Sequence, residues 1–211
     1  MYIPPLFRED DHDKLIAFMR AHSFGTLVTV VDGAPFATHL PLIVEERGDE
    51  VAITGHLAKP NSQWTGFGDA PSLAIFGGPH AYISPSLYEK TESVPTWNYI
   101  AVHAYGTPVI YRYADAPEKV QTMLEVMMRT YDPAYLSQWE SLSDKFRMGM
   151  MMGIVAFEMV VTRLEGKYKL SQNRSLIDQI NVSEHLQQAV DPSAAAIGAA
   201  MQQVIGEGEL E

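Results

Sequence analysis

Between Phe24 and Val44 the chain doubles back on itself: an apolar, β-branched run from Phe24 to Val31, an Asp32-Gly33 pair, and an answering run from Pro35 to Val44. Asp-Gly is a strong hairpin signal, because a two-residue turn needs backbone angles that few other residues tolerate. The short rhythm then repeats. Glu45 to Glu50 predicts a polar turn, Val51 to His56 a third strand and Ser72 to Phe76 a fourth, which Gly77-Gly78-Pro79 is expected to break. Asn98 to Tyr113 reads as a long strand bent at Gly106-Thr107-Pro108, and Ile154 to Leu164 as another. Six or seven short strands without strand–helix–strand alternation predict a small barrel, mainly β with peripheral helices (α+β). Closing the sheet removes the exposed edges that such strands would otherwise present.

Helical spacing is confined to the margins. Asp11 to His22 places Leu15, Phe18, Met19 and His22 on one face, and Ala116 to Thr130 does the same with Val120, Met123, Leu124, Met127 and Met128. Asn61 is placed to cap one helical turn over Asn61 to Phe67, and Phe146 to Met152 predicts another. Val182 to Ala189 and Pro192 to Val204 predict closing helices. The expected organisation is a barrel over residues 1–175 and a helical extension over 176–211, packed on the barrel or on a dimer partner. Ala81 to Trp97 reads as a long irregular loop.

Composition narrows the function classes. With no cysteine, disulfides, thiolate zinc sites and cysteine nucleophiles are excluded. No apolar run reaches the roughly 18 residues of a membrane span, and no secretory leader is visible, so a cytoplasmic protein is expected. The net charge is -11, and four of the 15 Lys and Arg fall between Arg163 and Arg174. One basic spot on an acidic chain suits a small anionic ligand better than duplex DNA. The histidines lack ligand spacing, so no metal site is expected. No Gly-x-Ser-x-Gly elbow or glycine-rich nucleotide loop occurs, and no catalytic residue is assigned.

Four segments carry candidate chemistry. Pro41, inside Thr38-His39-Leu40-Pro41, opens the strand ladder, since proline has no N–H to donate; a bulged edge strand accounts for that segment equally well. In Thr54-Gly55-His56-Leu57-Ala58-Lys59-Pro60-Asn61, a cation beside a capped turn is a recipe for phosphate, though a solvated turn has the same residues. The aromatics and amides from Tyr82 to Tyr99 suit a planar ligand or a dimer interface. Glu165 to Arg174 combines its cations with Ser171, Gln172 and Asn173.

Taken in order and spacing, ATHLPL, GHLAKPNSQW, the stretch from IFGGPHAYISPSLY to VPTWNY and VHAYG, and GKYKLSQNRS closely resemble the PaiB family of negative transcriptional regulators, over roughly residues 1–190. The resemblance implies an FMN-binding split β-barrel, homodimeric, with flavin at the subunit interface. It implies that Thr38, His39, Leu40 and Pro41 lie along the flavin ring. Thr54, Gly55, His56, Lys59 and Asn61 would hold the ribityl chain and phosphate. Trp97, Asn98, Lys169, Ser171, Gln172 and Asn173 would close the pocket or reach it from the other subunit. Members of the family more often carry Arg-Ala-Asn where this chain has Lys59-Pro60-Asn61, which exchanges a bidentate fork for a point charge. A flavin-dependent oxidoreductase (an FMN reductase or oxidase acting on a small molecule) is the alternative reading, since flavin brings its own chemistry. An oligonucleotide-binding barrel fits the aromatics but not the charge.

Overall fold

The two-residue strand β1 (Arg8–Glu9) leads into helix α1 (His12–Ala21), where Leu15, Ile16 and Met19 are buried as the spacing requires. These elements belong to a computed structural model that describes residues 1–68 and 70–208; positions 209–211 of the expected helical extension lie outside the described residues. β2 (Phe24–Val31) pairs antiparallel with β3 (Ala34–Pro41) from Phe24↔Pro41 to Val31↔Ala34. Asp32 and Gly33 take φ of 51° and 77°, the left-handed pair that lets a two-residue turn match the strand twist.

Several expected strands divide or extend. The second ends at Pro41 and a new strand, β4 (Ile43–Arg47), follows, with Leu42 N donating to Ser23 O at 2.8 Å. β4 then pairs with β5 (Glu50–Ala58) across Gly48, whose φ is 64°. The expected break at Gly77-Gly78-Pro79 does not occur: β6 (Ser72–Ile83) runs through all three, because both glycines keep an extended backbone. Accordingly the irregular stretch shrinks to 84–95, and β7 (Thr96–Gly106) begins before Trp97. The bend after Gly106 is present and begins β8 (Pro108–Tyr111).

α2 (Pro117–Tyr131) is followed by α3 (Tyr135–Ser141), which the residue pattern does not announce, and by α4 (Asp144–Met152), capped by Ser143. The expected strand over 154–164 is two strands, β9 (Ile154–Val160) and β10 (Arg163–Lys169), before α5 (Leu176–Gln187) and α6 (Pro192–Gly208). Among the described residues no helix is long and apolar enough to cross a membrane.

The strands form two antiparallel sheets, and the chain divides into two compact units to which β6 and β7 each contribute residues. One unit comprises residues 1–18, 77–102 and 165–211. Its strands follow the order β1-β10-β7-β6, and its last helices pack closely: Ser183 Oγ donates to Gly198 O at 2.9 Å, where a Cβ would lie 2.7 Å from Gln187 N. The other unit comprises residues 19–76 and 103–164. It holds the order β6-β2-β3 and the four-stranded sheet β4-β5-β9-β8. Leu27, Leu42, Ile53, Phe76 and Phe157 are fully buried within it. On the outer face of β9, Val120, Met123, Trp139 and Met151 of the three helices gather over Ala156.

Candidate functional site

In the second unit the turn after β5 is built around Asn61. Its side chain caps the 3-10 turn Ser62–Gly66 by accepting from Gln63 N at 2.9 Å, as the sequence predicts. Its amide also donates to Thr38 Oγ1 of β3 at 3.0 Å, so two candidate segments meet. Gln63, fully buried, extends the tie by donating to Leu27 O at 2.8 Å and Phe36 O at 3.2 Å. Lys59 is anchored by its backbone, with its N–H on Gly153 O at 2.9 Å and its carbonyl accepting from Trp64 Nε1 at 3.0 Å. The side chain of Lys59 remains exposed.

Lys59 has a cationic neighbour that the sequence does not reveal. It lines one recess with Arg112, Tyr113, Met152 and Ile154. Arg112 lies over the Trp64 ring, 5.1 Å from its centroid. Among the described residues no carboxylate belongs to this lining, so its donors match an anion. The strand register explains the meeting, since Ala58 pairs with Ile154 and Tyr111 with Ala156, bringing the ends of β5 and β8 alongside β9.

The remaining candidates of this unit take different surroundings. His39 shares a hydrogen bond with Thr26 Oγ1 at 2.8 Å, while Leu40 is buried and Pro41 half-buried at the end of β3. Thr54 and His56 face α2, beside Met123, Leu124 and Met127. Burial lowers the His56 pKa, which favours the neutral ring, and its Nδ1 has no hydrogen-bond partner among the described residues. Gly55, on the opposite face, is crowded by Phe157, whose Cζ would lie 2.9 Å from an added Cβ.

The first unit gathers its candidates separately. Asn98 is buried and donates to Ser171 Oγ at 2.9 Å and to Met201 Sδ at 3.4 Å; its Oδ1 has no partner among the described residues. Ser171 holds φ 66°, unusual for a residue other than glycine. Lys169 Nζ donates to Thr96 Oγ1 and Trp97 O, and its pKa is lowered by burial and by Lys167 and Arg174. Trp97 is exposed, with Tyr82 edge-on at 5.8 Å and His80 at 6.1 Å between centroids. Gln172 folds back on its own turn, accepting from Leu170 N at 2.7 Å and donating to Tyr168 O at 2.6 Å. Asn173 is exposed.

With this geometry in view, the comparisons with known proteins are direct. Residues 1–163 match the family model described as "Putative FMN-binding domain". The chain is 41% identical to the Bacillus subtilis protein named "Protease synthase and sporulation protein PAI 2", over 96% of this chain and 97% of that protein. Among solved structures, the FAD and heme binding protein of Mycobacterium smegmatis superposes with a TM-score of 0.55 at 12% identity, covering 77% of this chain and 73% of that one. A flavocytochrome from Azotobacter vinelandii gives 0.55 at 13% identity, covering 77% and 69%. The fold is therefore that of the split β-barrels. The chain belongs to the FMN-binding family of the PaiB type, and FMN is the cofactor that this membership assigns.

Proposed function

We propose that this protein is a homodimeric, FMN-holding regulator that acts on expression without itself gripping DNA. The observation that carries the FMN reading is the recess that Lys59 and Arg112 both line, with no carboxylate in its lining among the described residues. A phosphate dianion is the natural occupant of two adjacent cations, and the Arg112 guanidinium restores the fork that Lys59 alone lacks. Asn61 positions the turn, and Thr38 to Pro41 offer the strand edge for the flavin ring. Thr54 and His56, packed under α2, hold β5 in place. Trp97 and Lys169, backed by the buried Asn98–Ser171 pair, form a second set in the other unit, offered to the flavin of a partner subunit. Bound FMN supplies reversible redox chemistry at its own ring, while these side chains bind and orient it.

The regulatory half of the reading draws on charge. The four cations from Arg163 to Arg174 are all engaged: Arg163 lies 3.7 Å from the Tyr105 centroid, Lys167 donates to Tyr2 O at 3.2 Å, Lys169 serves Thr96, and Arg174 lies 4.1 Å from the Tyr88 centroid. With a net charge of -11, this arrangement supports regulation through a partner rather than through phosphate contacts.

The test is a titration of the purified protein with FMN, followed by absorbance, with light scattering for the oligomeric state and electrophoresis against duplex DNA. Shifted flavin bands, a dimer mass and no DNA complex are expected. Failure to bind FMN removes the flavin reading, and a steeply salt-dependent DNA complex removes the indirect one. Steady consumption of NADH with bound FMN would instead favour the oxidoreductase.

A further inference from the structure

A second recess lies in the helical part of the unit that contains β9 and shares Tyr113 with the recess of Lys59. It has a volume of 160 Å³, opens to solvent, and is lined by Tyr113, Gln121, Trp139, Asp144, Arg147, Met148 and Met151. A cavity of about 150 Å³ admits benzene, so this recess suits a single small ring. Trp139 and Met151 are buried, whereas Gln121 and Met148 are exposed. Two rings and two thioethers thus share its walls about equally with the polar groups of Gln121, Asp144 and Arg147.

One polar group in those walls is distinctive. Arg147 engages Asp144 through Nη2, but its Nε is buried and has no hydrogen-bond partner among the described residues. A buried, unmatched guanidinium donor is costly, and a bound carboxylate oxygen relieves that cost. Asp144 already offsets part of the charge, which disfavours a doubly charged phosphate. The aromatic and methionine walls call for a planar apolar body behind the anion.

We propose that this recess, formed by Tyr113, Trp139, Arg147, Met148 and Met151, binds a small aromatic monocarboxylate, with Arg147 as the carboxylate donor. The inference does not depend on FMN binding: Tyr113 borders both recesses, but Trp139 on α3 and Arg147, Met148 and Met151 on α4 belong to this one alone. A regulator that reads a small metabolite needs such a site in addition to any cofactor site.

The test is a ligand-observed NMR titration of the full-length protein with benzoate, and with benzamide as the neutral isostere, before and after FMN loading. Saturable benzoate binding is expected, at least tenfold tighter than benzamide. Arg147→Gln should weaken benzoate at least tenfold, to the level of benzamide, without changing FMN binding. Gln121→Trp, which fills the mouth from an exposed position, should abolish benzoate binding and decides the matter if Arg147→Gln does not fold. Absence of saturable binding overturns the proposal, as does equal affinity for benzamide or unchanged affinity in the variant that folds. Loss of FMN binding with benzoate binding intact would overturn the cofactor reading alone.

Discussion

Asn61 donates its side-chain amide to Thr38 Oγ1 at 3.0 Å while its Oδ1 caps the next turn, so one residue joins β3 to the loop that carries Lys59. Asn61→Ala removes both bonds and is expected to cost about 1–2 kcal/mol, with Thr38→Ala costing less because it leaves the cap intact. Urea denaturation of both single variants and the double variant checks this. The double variant should be less destabilised than the sum, since the two residues share one bond. FMN affinity should fall in Asn61→Ala even where the protein remains folded.

Two glycines allow close approach, and they should fail differently. At Gly55 an added Cβ meets the Phe157 ring at 2.9 Å, whereas at Gly106 it meets the backbone oxygen of Val160 at 2.2 Å. A ring can shift, although the edge contact of Phe157 with Phe67 at 5.4 Å resists it. Gly55→Ala is expected to cost about 1–3 kcal/mol. Adding Phe157→Leu should leave a smaller penalty for the alanine than it incurs alone, because the ring it strikes is gone. Gly106→Ala must displace the end of β9, which Thr162 N ties to Tyr105 O at 2.8 Å, and no side-chain truncation should relieve it. Thermal melting of Gly55→Ala, Phe157→Leu, their double variant and Gly106→Ala separates the cases.

What the residues announced follows the range of the interactions involved. The β2–β3 hairpin and the Asn61 cap are local: Asp32-Gly33 sets its own turn, and an asparagine finds a donor two residues on. α3 has no such signal, since Ala134 offers no side-chain cap and the helix is secured by burying Trp139. The glycines of β6 looked like a break because permissive residues also tolerate extended backbone, and only pairing with neighbouring strands decides between the two. Arg112 is invisible as a partner of Lys59 in the sequence, because β9, which follows both in the chain, is what brings them together. Gln172 looked available for a ligand, yet both ends of its amide are taken by its own turn.

Glu158 is the acid-sensitive point. Burial alone would raise its pKa, but hydrogen bonds and charge from Lys119 at 2.9 Å and Arg47 at 2.7 Å hold it below the ordinary 4.5. A carboxyl depressed on folding contributes stability above its unfolded pKa and loses it as pH falls through the lower folded value. Glu158→Gln is therefore expected to cost about 1–3 kcal/mol at neutral pH, toward the lower end because Arg47 retains Glu45 at 2.7 Å. Urea midpoints measured from neutral pH downward should begin to approach those of the parent protein near pH 4.5 and meet them only below the lower folded value, where the parent's carboxylate takes its proton.

If Lys59 and Arg112 hold the FMN phosphate, preference for FMN over riboflavin must reside in these two residues. Each substitution to alanine should weaken FMN about 10- to 100-fold, the range for losing one charge-assisted hydrogen bond of about 1.5–3 kcal/mol, and leave riboflavin unchanged. Arg112→Lys should retain less of the preference than Lys59→Arg, because Arg112 supplies the planar fork and its stacking on Trp64 at 5.1 Å fixes the orientation. The double alanine variant should bind both flavins alike. Fluorescence titrations with the two flavins at two salt concentrations provide the check, with the difference between FMN and riboflavin shrinking as salt rises. A parent protein that does not distinguish the two flavins would place the phosphate elsewhere and leave this recess without its assigned role.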